Sequence, residues 1–220
     1  MKMFWKVKLI VALAICFSFS TVLPAQESSG PYPTEQPKCA EIHAMVGMAK
    51  ARSTATLTAW DRKAGDSYRA KVAFAFRFFE LHPRDRRAAS AVLDLIPQNE
   101  EQGWIWYSFS GYLECTAESG EAGETEKEML ILAKFSWRFT HDEARAVLLV
   151  PSKMLAYVSY ANTSDGNPSS DYAVQMRKVC LAKHQEFVKA VDQLSADDKK
   201  WFLSSTFNPD GCHVLHFPEP

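Results

Sequence analysis

Beyond its N-terminal segment the chain contains no run of about 18 apolar residues, so nothing further along is long enough to span a bilayer. It also lacks the short motifs that mark common enzyme classes. There is no G-x-S-x-G elbow, H-E-x-x-H helix, phosphate-binding Walker loop, G-x-G-x-x-G or S-x-x-K. The loop at Asp165-Gly166 misses the calcium pattern, because Ala161 stands where the first carboxylate belongs. No basic excess is present. Lys plus Arg number 25 against 26 Asp plus Glu, a net charge of −1. Nucleic acid is therefore excluded as a partner, since its binding rests on cations neutralising phosphates. The cluster Arg84, Arg86, Arg87 is the one counter-signal; it sits with Asp85 at a helix start and reads as a solvated face. What remains is a globular composition, 47% hydrophobic and 12% aromatic, which excludes a collagen, a low-complexity chain and a charge-rich disordered chain. At 220 residues it has the length of one domain and can bury a sizeable core.

The first 25 residues read as an address. Lys2, Lys6 and Lys8 form a positive start, Leu9 to Leu23 carries no charge, and Ala25 follows Leu-Pro as a small residue at a cleavage point. This order is the secretory signal layout. An uncleaved anchor is the competing reading, and a 15-residue apolar run is short for it when a span needs about 20. Lipidation at Cys16 is disfavoured, because bulky Ile15 stands where the bacterial lipobox takes a small residue. The reading predicts export, to a periplasm or to the outside medium, with no membrane span after cleavage. Loss of the three lysines would take the net charge from −1 to −4, suited to a soluble, mildly acidic domain.

Residues 26–37, with Pro31, Pro33 and Pro37, form an extended leader. Residues 38–220 read as a single helical domain, because the hydrophobic period is helical almost throughout. Inward positions from Cys39 run through Ile42, His43, Val46, Ala49, Ser53, Leu57 and Trp60 before Gly65-Asp66 interrupts. Tyr68 to Leu81 is apolar nearly all round and should lie centrally. A clean stripe from Ala88 to Ile96 follows Pro83. Trp104 to Leu113 is assigned as helix although Trp104 and Trp106 alternate like a strand. Six glutamates between Glu114 and Glu128, with Gly120 and Gly123, read as a solvated acidic loop. Met129 to Phe139 resumes a helix, and Thr140 with Glu143 offers a capping box for the next. Pro151 suits a first turn, residues 162–170 a loop, and Tyr172 to Leu194 one long stripe. Ser195 caps the last helix, and an Asn-Pro-Asp-Gly turn follows Phe207. The expectation is an all-α fold of about nine helices, in an irregular bundle or a stack of antiparallel pairs. The join Leu81-His82-Pro83-Arg84-Asp85 has the character of a helical-repeat turn, but no second copy occurs at a period of about 34–47 residues.

Cysteine supplies the first candidate site. Without Cys16 the chain holds Cys39, Cys115, Cys180 and Cys212, an even number that in an exported chain reads as two disulfides with three possible connectivities. Three of the four have a histidine four residues on: Cys39 with His43, Cys180 with His184, Cys212 with His216. On a helix such a pair shares one face, and both helical pairs fall on apolar stripes, which points them inward. Two pairs could build a tetrahedral Cys₂His₂ centre for zinc or copper. Disulfides are the favoured reading, with metal as the alternative. The second candidate is aromatic. Trp104, Trp106, Tyr107, Phe109 and Tyr112 crowd into nine positions, the density of a ligand-binding face, though the core is the default place for such rings. A dispersed catalytic site would need a cleft that gathers His141, Asp142 or Glu143 with other polar groups. Asn162-Thr163-Ser164 matches a glycosylation acceptor.

These readings point away from an enzyme and from any cofactor. They favour an exported, non-catalytic module that binds a protein or peptide, or serves a structural role, with an exported zinc or copper binder as the alternative.

Overall fold

The computed structural model describes residues 37–109, 125–163, 170–203 and 207–214. The chain divides between Gly30 and Pro31, and the description concerns the second unit. It is all-α. In chain order the helices are α1 (Cys39–Lys50), α2 (Thr54–Ala64), α3 (Tyr68–Leu81), α4 (Arg86–Asp94), α5 (Glu100–Ser108), α6 (Thr125–Ser136) and α7 (Phe139–Leu149). A 3₁₀ turn at Pro151–Lys153 leads into α8 (Met154–Thr163), followed by α9 (Ser170–Ala182), α10 (His184–Asp192) and α11 (Ala196–Trp201). A two-residue hairpin, β1 (Phe207–Asn208) against β2 (His213–Val214), pairs Phe207 with Val214 and Asn208 with His213 in antiparallel register. No helix among the described residues is long and apolar enough to cross a membrane.

Polar side chains open several helices. Ser53, Ser67, Asp85 and Ser195 each sit at an N-cap and accept a backbone N–H, from Thr56, Ala70, Arg87 and Asp198 respectively. Each bond satisfies one of the free donors of a first helical turn. Gly65 closes α2 at φ +80°, a left-handed conformation that favours glycine. Pro151 opens its 3₁₀ turn, where its missing N–H costs nothing.

Eleven helices are seen among the described residues where the sequence predicts nine, because two long stripes each divide. The first breaks at Ala51–Ser53. Ser53 is not an inward position but the cap of α2, and the Ala51 carbonyl left over at the end of α1 accepts from Nε and Nη2 of Arg77 on α3. The second breaks at Lys183 (φ −141°, ψ 50°), where the chain turns so that Phe187 of α10 meets Phe202 and Phe207. Neither break carries a proline or glycine; tertiary partners overrule the local pattern.

Two helices organise the core. α3 packs against α1, α2, α4, α5 and α7, while α7 packs against α3, α4, α8 and α9. The central placement of α3 follows from small residues on its buried side, Ala70, Ala73 and Ala75, alternating with Val72, Phe76 and Phe79. Where α3 meets α7, Phe76 stacks on Phe139 with centroids 3.9 Å apart, and Trp106, Phe109 and Phe135 stand edge-on around that pair. Gly47 of α1 has a packing reason of its own. A Cβ there would lie 2.2 Å from the Trp60 ring, so only glycine lets α2 lie across α1 at this point.

The capping box read from Thr140 and Glu143 does not form. α6 runs into α7 through a tight turn, and the residue before α7, Arg138, is itself helical (φ −91°, ψ −8°) with no side-chain cap. A capping box needs an extended N-cap residue, so Glu143 is freed from the helix end and faces the core instead.

Candidate functional site

One surface pocket of about 420 Å³ lies between the C-terminal half of α3 and the N-terminal half of α7. Arg77 and Glu80 come from α3, Pro83 from the turn after it, and Arg138, His141, Asp142 and Arg145 from α7 and its approach. The last four are spaced i, i+3, i+4, i+7, one face of a helix. Arg77 and Glu80 are i, i+3 on α3. The two polar faces meet because the apolar faces beside them are locked by the Phe76–Phe139 stack.

The charges form a connected network. Glu80 is held between Arg77 Nη1 and Arg138 Nη2, the latter 2.8 Å away. Asp142 is held by Arg145 Nη1 at 3.1 Å, with His141 Nδ1 at 3.5 Å. Both acids are deep, their side chains 10% and 4% exposed, while Arg138, His141 and Arg145 are at least partly open to solvent. Burial pushes the carboxyls of Glu80 and Asp142 up, and the neighbouring cations, Arg77 and Arg138 for the first, Arg145 and His141 for the second, pull back against it. Three guanidiniums and an imidazole thus meet two carboxylates. The surplus is positive; Arg138 and Arg145 are the guanidiniums open to solvent, while Arg77 is held inside by Glu80 and the Ala51 carbonyl. Trp137, next to Arg138 in sequence, is 71% exposed, a large apolar ring left in water.

Sequence reasoning named His141 and Asp142 as members a cleft would have to gather, and the structure gathers them. Arg77, Glu80, Arg138 and Arg145 were missed. The available signal was two charges three residues apart inside the otherwise apolar α3, facing a polar i, i+3, i+4, i+7 stripe around His141.

The cysteine readings meet a covalent fact. Cys180 and Cys212 form a disulfide, S–S 2.06 Å, linking α9 to the C-terminal hairpin. Cys39 is likewise disulfide-bonded, and Cys115 and His216 lie outside the described residues. His184 accompanies the Cys180–Cys212 bridge; its ligand nitrogen and the two sulfurs lie within 4.8 Å of one another. A sulfur in an S–S bond offers no thiolate, and His184 Nε2 is 3.0 Å from the Pro209 carbonyl. His43 is engaged elsewhere, its Nδ1 2.7 Å from Glu128 Oε1 and its ring edge-on to Trp60. Neither His43 nor His184 points inward as the stripes suggested; both are exposed. Flanking apolar residues took the interior and left the imidazoles at its rim.

Of the aromatic run, Trp106 (7% exposed) and Phe109 (fully buried) belong to the core around Phe139 rather than to an open face. The side chains of Trp104 and Tyr107, and Tyr112 with the glycosylation acceptor's Ser164, lie outside the described residues. The chain matches no family model, and no curated protein or solved structure is significantly similar to it.

Proposed function

We propose that this chain is an exported, non-catalytic binding module whose charged pocket receives an acidic segment of a protein or peptide. The observation that carries the reading is the convergence of Arg138, Arg145 and His141 on one pocket whose acids among the described residues, Glu80 and Asp142, are already paired, Glu80 partly by the inner Arg77. An incoming carboxylate would find guanidinium forks suited to two-point recognition. The signal layout of residues 1–25 and the Cys180–Cys212 disulfide support export, since such bonds persist in oxidising compartments.

The test is a titration with hexaglutamate, followed by calorimetry, with hexaglutamine as the neutral control. Arg138→Gln or Arg145→Gln should each weaken binding roughly fivefold or more, and added salt should weaken it further. Equal binding of the neutral peptide, or indifference to both substitutions, would remove the reading.

Zinc or copper binding remains the second reading, on the convergence of Cys180, His184 and Cys212. It requires the disulfide reduced. The reduced protein should then take up one Co²⁺ with sulfur charge-transfer absorption, lost in His184→Ala; no such absorption dismisses it.

A further inference from the structure

Next to Asp142 on α7, but turned about one third of the way round the helix, Glu143 points into the interior. It is 0% exposed, and neither of its carboxyl oxygens has a hydrogen-bond partner among the described residues. A buried carboxyl in that state is costly and calls for a reason. The charge acting on it among the described residues is that of Asp142, another acid.

Its surroundings are aromatic. Tyr157, Tyr160 and Tyr68 all lie within electrostatic reach of Glu143, brought there by α8 and α3. Trp106 of α5 stands 5.3 Å from the Tyr160 ring, centroid to centroid. The Tyr68 hydroxyl is turned away to donate to the Leu95 carbonyl. Tyr157 is wholly buried, whereas Tyr68 and Tyr160 are half-buried and carry the solvent-facing part of the cluster. A carboxyl with two unused acceptor oxygens, in a neighbourhood of electron-rich rings, has the chemistry that recognises an organic cation. The oxygens ask for N–H donors, and the close spacing of Trp106 and Tyr160 asks for a small head group.

We infer that Glu143, with Tyr68, Tyr157, Tyr160 and Trp106, forms a second binding site, distinct from the charged pocket, for a primary ammonium group. This site does not depend on the acidic-peptide reading; it uses different residues and the opposite ligand charge. Binding brings an ammonium to the carboxylate, and where Glu143 enters the complex protonated, its proton is released to solvent.

The test uses the protein with methylammonium, tetramethylammonium and sodium chlorides at equal ionic strength. Methylammonium should raise the melting temperature saturably, and the ¹³C-methyl resonance of labelled methylammonium should shift and broaden with the protein. Tetramethylammonium, which has no N–H to donate, should bind at least tenfold more weakly. Glu143→Gln keeps the shape of the side chain and should lose at least tenfold in methylammonium affinity. An unperturbed ¹³C line with the wild-type protein overturns the inference whatever the variant does. So does equal binding by Glu143→Gln, or tighter binding of tetramethylammonium, which would mean the rings act without the carboxyl. Arg138→Gln should leave methylammonium binding unchanged, so failure of either site is read separately.

Discussion

The Cys180–Cys212 bridge allows the most direct quantitative test. It joins residues 32 apart in sequence and encloses α10, α11 and the first hairpin strand. In the chain-entropy model a loop of that length contributes about 3.7 kcal/mol at 25 °C by restricting the unfolded chain. The native side should change little in Cys180→Ala/Cys212→Ala, because Phe207 stays buried against Phe187 and Phe202 and His184 stays near the Pro209 carbonyl. With a urea m-value of about 2.5 kcal/mol/M, the midpoint of unfolding should fall by about 1.5 M at unchanged m. If the hairpin instead detaches alone, the same free energy appears locally, as amide exchange about 500-fold faster at Asn208 to Cys212 with the global midpoint kept. The two outcomes differ in place but not in size. A shift worth less than about 1 kcal/mol in both measurements would refute the reasoning, since it would mean the open chain already holds this loop closed.

Other consequences follow from single contacts. Gly47→Ala places a methyl 2.2 Å from the Trp60 ring, and the displacement of α2 should cost about 1–3 kcal/mol, read as a lower urea midpoint with altered indole fluorescence. Phe76→Ala removes the partner that Phe139 and Trp106 share and should cost about 3–5 kcal/mol. Ser53→Ala, which loses the cap bond to Thr56, should cost only about 1 kcal/mol, provided α1 and α2 do not fuse. Burial raises the Glu143 carboxyl well above the ordinary value of 4.5. Its stabilising contribution is therefore complete below pH 4.5 and is lost as pH rises towards the folded value, at about 1.4 kcal/mol per pH unit. Glu143→Gln should flatten that slope above pH 4.5 in urea midpoints; parallel wild-type and variant curves would contradict it.

What could be read before folding depended on how local its cause was. Helical periodicity identified the fold class and the central place of α3, and capping chemistry the helix start at Ser195, because each depends on neighbours in the chain. The breaks at Ser53 and Lys183 escaped. Their causes, Arg77 reaching the Ala51 carbonyl and Phe187 reaching Phe207, lie 26 and 20 positions away. The aromatic density at Trp104–Tyr112 was visible, but density cannot say which side of a helix faces water, and Trp106 and Phe109 went to the core. The cysteine–histidine spacing was real as well. It brought His184 beside a bridge, not beside a pair of thiolates.

The instructive case is the pair Asp142-Glu143. In sequence Glu143 was explained by helix capping with Thr140, a role that needs only the preceding residues, and Asp142 sat in the same turn. Capping, however, requires an extended residue before the helix, and the turn from α6 leaves Arg138 helical. Once that one dihedral condition fails, two adjacent acids lose their local purpose and must be placed by packing alone. Successive residues on a helix lie about 100° apart, so the two cannot share an environment. Asp142 falls on the polar stripe, among the arginines; Glu143 falls on the apolar one, among the tyrosines. The same failed cap therefore supplies an anchor for the cation network and leaves a carboxyl without a partner in the core. Substituting the two separately should divide their effects: Asp142→Asn should disturb recognition of acidic peptides, and Glu143→Gln recognition of amines, each with little influence on the other.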